Sequence, residues 1–197
     1  MNSLEFPRGD LPGVKPARDH MPLGSIDVLM TNPPFGSDIP VTEKTILEQY
    51  ELARRWERQG DGFVMGNAIK PAVSPEVLFI ERCVKWLKPG GRMGIVLPDG
   101  ILGNPGDEFI RYWILRHCWV LASIDLPVES FIVEANVNIL TSRLFLKRKP
   151  EEVTQAEDLG QKQDYPVFMG VAEKVGFDRR GNTLYKRHPD GEEILVD

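Results

Sequence analysis

Asn32-Pro33-Pro34-Phe35 sets an amide side chain, two prolines and an aromatic ring in a row, directly after the apolar run Ile26-Asp27-Val28-Leu29-Met30-Thr31 and before Gly36. Each proline fixes its own φ at about −65°, lacks a backbone donor and drives the residue before it out of the helical region. Asn32 and Pro33 are therefore both expected to be extended. Such a rigid turn at the carboxyl end of a strand presents the Asn32 side-chain oxygen and nearby backbone carbonyls as fixed acceptors beside the Phe35 ring. This arrangement suits a planar base whose exocyclic amino group must react. Delocalisation into the ring makes that nitrogen a poor nucleophile. If fixed oxygens accept both of its N–H bonds, it can pyramidalise and present a lone pair to an electrophilic methyl group, by positioning and preorganised electrostatics and without a strong base. An aromatic plate offsets the unstacking of a base taken out of a duplex. A plain strand ending in a proline-rich turn, with Phe35 packed on the core, is the competing structural reading.

The elements that must hold this stretch fit a single domain. A chain of 197 residues, 42% hydrophobic and 27% charged, can bury one sizeable core. It contains no apolar run long enough to span a bilayer and no signal-peptide pattern, so a cytoplasmic location without membrane contact is expected. Cys83 and Cys118 are too few and too far apart for a disulfide framework or zinc site, and each sits in an apolar helical pattern. His20, His117 and His188 are scattered and read as structural or surface residues, and no metal site is expected. A net charge of −5 argues that any grip on a phosphate backbone comes mostly from a partner.

Residues 1–25 are rich in proline, glycine and charge and read as an irregular segment, with a short turn near 4–6. After the Asn-Pro-Pro-Phe stretch, Thr42 as N-cap and Ile46, Leu47, Tyr50, Ala53 and Trp56 at helical spacing predict a helix ended by Gly60-Asp61-Gly62. Residues 63–74 read as irregular, either a loop over the site or a connector. Ser74-Pro75-Glu76 predicts a capped helix start, with Val77, Ile80, Val84 and Leu87 on its inner face and Lys88-Pro89-Gly90-Gly91 as its stop. A doubly buried strand over 92–97 follows, then a loop over 98–106, a helix capped by Asp107 and running to Cys118, and a strand over 120–126. The strand over 138–146 follows without an intervening helix, which suggests an antiparallel hairpin. Residues 147–163 read as a polar linker, 166–175 as a short strand or strand-helix piece, and 177–182 as a tight turn leading into a small hairpin at 183–186.

The segment Asn32-Pro33-Pro34-Phe35-Gly36 resembles the catalytic motif of amino-group methyltransferases that use S-adenosylmethionine. Joined with Leu87-Lys88-Pro89-Gly90-Gly91-Arg92, with Ile95 to Leu102 through Pro98-Asp99-Gly100, with Ile124-Asp125-Leu126-Pro127 and Phe131, and with the Gly176-to-Asn182 turn, it is similar to the N-6 adenine-specific DNA methylases that form the modification subunit of type I restriction-modification systems. The resemblance covers nearly everything from Ile26 to about Leu195. It implies an α/β fold: part of a Rossmann-like methyltransferase sheet, its parallel strands ending in an antiparallel hairpin, with helices on both faces. It also implies three regions, with 26–149 as the carboxyl half of the catalytic domain between 1–25 and a linker with a small hairpin at 150–197.

By the same resemblance Asn32 and the Pro33 carbonyl accept the adenine amino hydrogens, Pro34 stiffens the turn, Phe35 stacks on the flipped base, Phe131 lies against its other side, and Pro98-Asp99-Gly100 shapes the rim. The implied cofactor is S-adenosylmethionine and the implied partners are DNA with specificity and restriction subunits, or an upstream methylase half. In that family a Gly-rich loop and an acidic residue upstream of Asn-Pro-Pro-Phe hold the cofactor. Neither is found in residues 1–25, so the chain is expected to be a truncated or split gene product, or an experimental fragment, with cofactor-binding residues unknown. Two other readings stand beside this one: a non-catalytic assembly remnant of such a subunit, and an N-methyltransferase acting on RNA guanine or protein glutamine.

Overall fold

In the computed structural model the described residues are Leu4, 22–35, 39–131 and 139–194, without the side chains of Lys186 and Glu193. The main sheet is built outward from β4 (Leu87–Pro98), whose Met93, Ile95, Val96 and Leu97 are all buried. On one side of it lies β1 (Ile26–Thr31), parallel, with Leu29 opposite Met93 and Thr31 opposite Ile95. Between these two strands run a short helix α1 (Lys44–Leu47), strands β2 (Arg54–Gln59) and β3 (Gly62–Ile69), and helix α2 (Pro75–Trp86).

Beyond β4 come α3 (Asp99–Gly103), a 3-10 turn (Pro105–Asp107), α4 (Glu108–His117), β5 (Cys118–Leu126), β6 (Thr141–Arg148), α5 (Glu151–Asp158) and β7 (Phe168–Val171), then a small pair β8 (Lys186–Arg187) and β9 (Glu193–Ile194). The main sheet is ordered β1-β4-β6-β5-β7. The expected antiparallel hairpin is present: β6 is antiparallel to β5, Ser123 facing Leu144, and it inserts between β5 and β4, to which it is also antiparallel. This α/β arrangement of parallel strands closed by an antiparallel hairpin is the one anticipated. Among the described residues no helix is long and apolar enough to cross a membrane.

Helix α2 begins where Ser74-Pro75-Glu76 predicts, but proline and the first-turn acid set that start, since the Ser74 hydroxyl makes no capping hydrogen bond. The same correction applies to Asp107, which precedes α4 without a side-chain cap. Strand β4 starts at Leu87, so Lys88-Pro89-Gly90-Gly91 lies in an irregular first part of the strand, with Gly90 at φ +80°. Cys118 opens β5 and is not helical.

The largest departure lies between Thr42 and Ser74. Ile46, Leu47, Tyr50 and Ala53 are buried as their spacing predicts, yet α1 ends at Leu47. The backbone N–H groups of Glu51 and Leu52 donate to the buried Glu81 carboxylate at 3.0 and 2.8 Å and not to carbonyls one helical turn back. Glu51 in turn accepts the Trp113 Nε1–H at 2.8 Å. The chain is thereby turned out of a helix and into the hairpin β2–β3, whose two-residue loop is Gly60-Asp61, with Gly60 at φ +59°. Gly60-Asp61-Gly62 is therefore a hairpin turn and no helix terminator, and most of 63–74 is strand. Trp56 anchors the hairpin by stacking at 6.3 Å on Phe109 and donating its Nε1–H to the Glu51 carbonyl at 3.0 Å.

The polar stretch 147–163, read as a linker, folds α5 against the end of α4. Lys149 is 6% exposed and places its ammonium 2.7 Å from the Leu115 carbonyl and 2.7 Å from Glu157, a cation set at a helix carboxyl end. Arg116 pairs with Asp158 at 2.7 Å. The small carboxyl-terminal hairpin falls at β8–β9, with Phe177 and Thr183 joined by an isolated bridge.

Candidate functional site

Strand direction decides which loops meet. Since β1, β4 and β5 run together while β6 runs against them, the carboxyl ends of the first three lie at one edge with the amino end of β6, Thr141 facing both Pro98 and Leu126. Open α/β sheets bind ligands at this edge. Asn32-Pro33-Pro34-Phe35 leaves β1 here, with Asn32 exposed, Pro33 buried, Pro34 exposed and Phe35 half-buried. Gly36 lies outside the described residues.

From β5 the chain enters a tight turn in which the Ser130 N–H donates to the Pro127 carbonyl at 2.9 Å and the Phe131 N–H to the Val128 carbonyl at 3.3 Å. That turn delivers Phe131 to Phe35. Their ring centroids are 5.9 Å apart at an interplanar angle of 77°, an edge-to-face pair. The structure thus brings together the two aromatic residues that the sequence singled out. At the end of β4, Pro98 closes the strand and Asp99 begins α3. The Ser142 hydroxyl lies 2.8 Å from both Asp99 and Asp125, tying the ends of β4 and β5 to β6, and the Asp99 N–H donates to the Leu140 carbonyl at 3.0 Å. Pro98-Asp99-Gly100 is therefore fixed at the same edge as Asn32.

The turn at 177–182 forms as expected, built on one carboxylate. Asp178 accepts the backbone N–H groups of Arg180 and Asn182 at 2.8 and 2.9 Å and the Asn182 side-chain amide at 2.9 Å, while Gly181 takes φ +82°. These hydrogen bonds hold the Asp178 carboxyl below its usual range. The structure adds a contact that spacing could not reveal: the Arg179 Nε–H donates to Glu129 at 2.9 Å. An acid and an arginine fifty positions apart on loops carry no periodic signature. An open cleft of about 440 Å³ lies beside this pair, lined by Glu129, Phe177, Arg179, Arg180 and Leu184 among others.

His117 ends α4 just ahead of the start of β5, away from this edge. His117 packs on Trp113 at 4.3 Å, where burial lowers its pKa to about 4. His20 lies outside the described residues. Burial pushes the Cys83 and Cys118 thiols up to about 12, as for inert core cysteines. No cluster of three potential metal ligands occurs among the described residues.

A bound S-adenosylmethionine needs a cradle, and the described residues present no Gly-rich turn between a strand and a helix ahead of β1. The turn at Gly60-Asp61 joins two antiparallel strands, and Gly90-Gly91 lies within β4. The described residues therefore supply no such cradle for the cofactor.

The sheet order and its antiparallel closure are similar to the fold of S-adenosylmethionine-dependent methyltransferases. The chain superimposes on a class I S-adenosylmethionine-dependent methyltransferase of Listeria monocytogenes with a TM-score of 0.52 at 19% identity, over 76% of this chain and 37% of that one. It also superimposes on a modification subunit of a type I restriction enzyme from Vibrio vulnificus with a TM-score of 0.50 at 18% identity, over 100% of this chain and 40% of that one. The chain belongs to the N-6 DNA Methylase family, whose model matches residues 15–188. Among curated proteins it is 25% identical over 121 residues to the Type I restriction enzyme StySPI methylase subunit of Salmonella potsdam. That match takes in 60% of this chain and 19% of the relative, so the chain spans about a fifth of the relative's length.

Proposed function

We propose that this chain holds the target base of a site-specific adenine-N6 DNA methyltransferase, the modification component of a type I restriction-modification system acting in the cytoplasm. The observation that carries the reading is the placement of Asn32-Pro33-Pro34-Phe35 at the carboxyl edge of the sheet, with Phe131 brought 5.9 Å from Phe35. In this reading Asn32 Oδ1 and the Pro33 carbonyl accept the two adenine amino hydrogens, which localises the nitrogen lone pair. The prolines keep those acceptors from relaxing when the base arrives. Phe35 takes one face of the flipped base, and the turn that carries Phe131 brings its ring to the other. S-adenosylmethionine supplies the methyl group when bound, held by chain outside the described residues. A net charge of −5 leaves the grip on DNA largely to partners, for which specificity and restriction subunits or an upstream methylase half are the candidates.

The test is product analysis. An assembly containing this chain is incubated with DNA and labelled S-adenosylmethionine, and the nucleosides are separated. Label in N6-methyladenine supports the reading. Label absent from DNA but found in guanine of RNA or in protein glutamine replaces it with the corresponding N-methyltransferase.

A second reading has its own observation. Among the described residues β1 has a strand neighbour only on the β4 side, and Val28 and Met30 are 66% and 64% exposed. An edge of this kind recruits another strand. As an assembly module the chain would associate through β1 whether or not methyl transfer occurs. Self-association or partner binding that survives Asn32→Ala but is lost on Val28→Lys supports it, and a monomer unaffected by added subunits rejects it.

A further inference from the structure

Among the described residues the turn that carries Phe131 is thinly held: two backbone hydrogen bonds shape it, and the buried Ser130 hydroxyl has no partner there. On one side it borders the open cleft of about 440 Å³ instead of packed side chains. Across from it, the 176–184 loop is rigid on its own account: Asp178 accepts three hydrogen bonds, the Leu184 N–H donates to the Gly176 carbonyl at 2.8 Å, and Phe177 bridges Thr183. The Arg179–Glu129 pair at 2.9 Å joins the rigid loop to the loose turn, two residues before Phe131.

We infer that Arg179 is a positioning residue for base stacking: through Glu129 it sets the turn that aims Phe131 at Phe35. This deepens the proposed function and rests on it for its consequence in methylation, but the placement of the ring is a separate claim. Arginine suits the task because a guanidinium donates along fixed directions, whereas an ammonium is a point charge on a flexible stem. The pair is exposed, so its effect is that of a surface ion pair, about two- to fivefold in an equilibrium. A ring that contacts the base in ground and transition states alike acts on KM more than on kcat.

The experiment places 4-fluorophenylalanine at position 131 of the full chain and records its fluorine resonance in the native protein, in Arg179→Ala, in Arg179→Lys and in the swap Glu129→Arg with Arg179→Glu. The expected result is a resonance that moves toward that of the free amino acid in Arg179→Ala, moves part of the way in Arg179→Lys and returns in the swap. The thermal midpoint should stay constant throughout. An unmoved resonance in Arg179→Ala overturns the inference. Should that variant fold poorly, Glu129→Gln gives the same reading from the other partner. In an active assembly, Arg179→Ala should raise KM for DNA about two- to fivefold with kcat unchanged, and an equal fall in kcat overturns the stacking role. If Asn32→Ala left methylation intact, the proposed function would fall while the fluorine result would still decide the role of the ion pair.

Discussion

β1 and β4 are parallel neighbours in one sheet and could hardly differ more in surroundings. Every residue of β4 from Met93 to Leu97 except Gly94 has a named place in the buried core, and Gly94 itself is buried. On β1, Val28 and Met30 stand mostly in solvent and the strand is paired on one side among the described residues. The strand that leads into the proposed base-holding motif is thus the less supported one. Its geometry comes from two prolines and from register against β4, while the stability of the domain resides in β4, β6, α2 and α4. Chemistry and stability are therefore separable by mutation.

The largest effect belongs to the buried side. Ile95→Ala should cost about 2–5 kcal/mol in denaturant unfolding, the range for emptying a fully buried aliphatic site. Glu81→Ala should cost about 3 kcal/mol, because it orphans the N–H groups of Glu51 and Leu52 and leaves Lys85 without its buried partner. A loss below about 1 kcal/mol in either would show that the core lies elsewhere.

A smaller effect is set by pH. Burial lowers the His117 pKa from 6.5 to about 4, so over that interval the unfolded chain binds a proton that the native protein refuses. Stability must then fall as pH drops from about 6.5 toward 4. His117 is one-third exposed, which limits the contribution to about 1–2 kcal/mol. His117→Asn should remove that part of the acid slope, leaving the carboxylates to account for the rest. The smallest effect is on β1: Val28→Ser should change stability by no more than about 0.5 kcal/mol. A larger loss would mean that the edge strand is buried in solution, as the assembly reading requires.

How far the sequence could be read follows the same division. Asn32 to Phe35, the start of α2 at Pro75 and the doubly buried β4 were legible because proline and unbroken apolar runs act locally. The hairpin at 54–69 was not, since its cause is a carboxylate on another element: Glu81 takes the N–H groups that would have continued the helix. Helical spacing of Tyr50, Ala53 and Trp56 was real as burial and misleading as periodicity. The fold of 147–163 was hidden for a related reason, because Lys149 is buried by distant partners, the end of α4 and Glu157. Phe131 could be singled out by its motif, but its meeting with Phe35 depends on the order of strands. Arg179 lay in a turn that the sequence singled out, but its pairing with Glu129 left no signal.

The most direct test of the central claim is a single-turnover methylation rate for Asn32→Ala, measured in an active assembly alongside its affinities for DNA and S-adenosylmethionine. The account predicts a rate lowered about a hundredfold or more with both affinities within about twofold of the native values, because the lost acceptor acts mainly in the transition state. An unchanged rate, or a loss of cofactor affinity equal to the loss of rate, would contradict it.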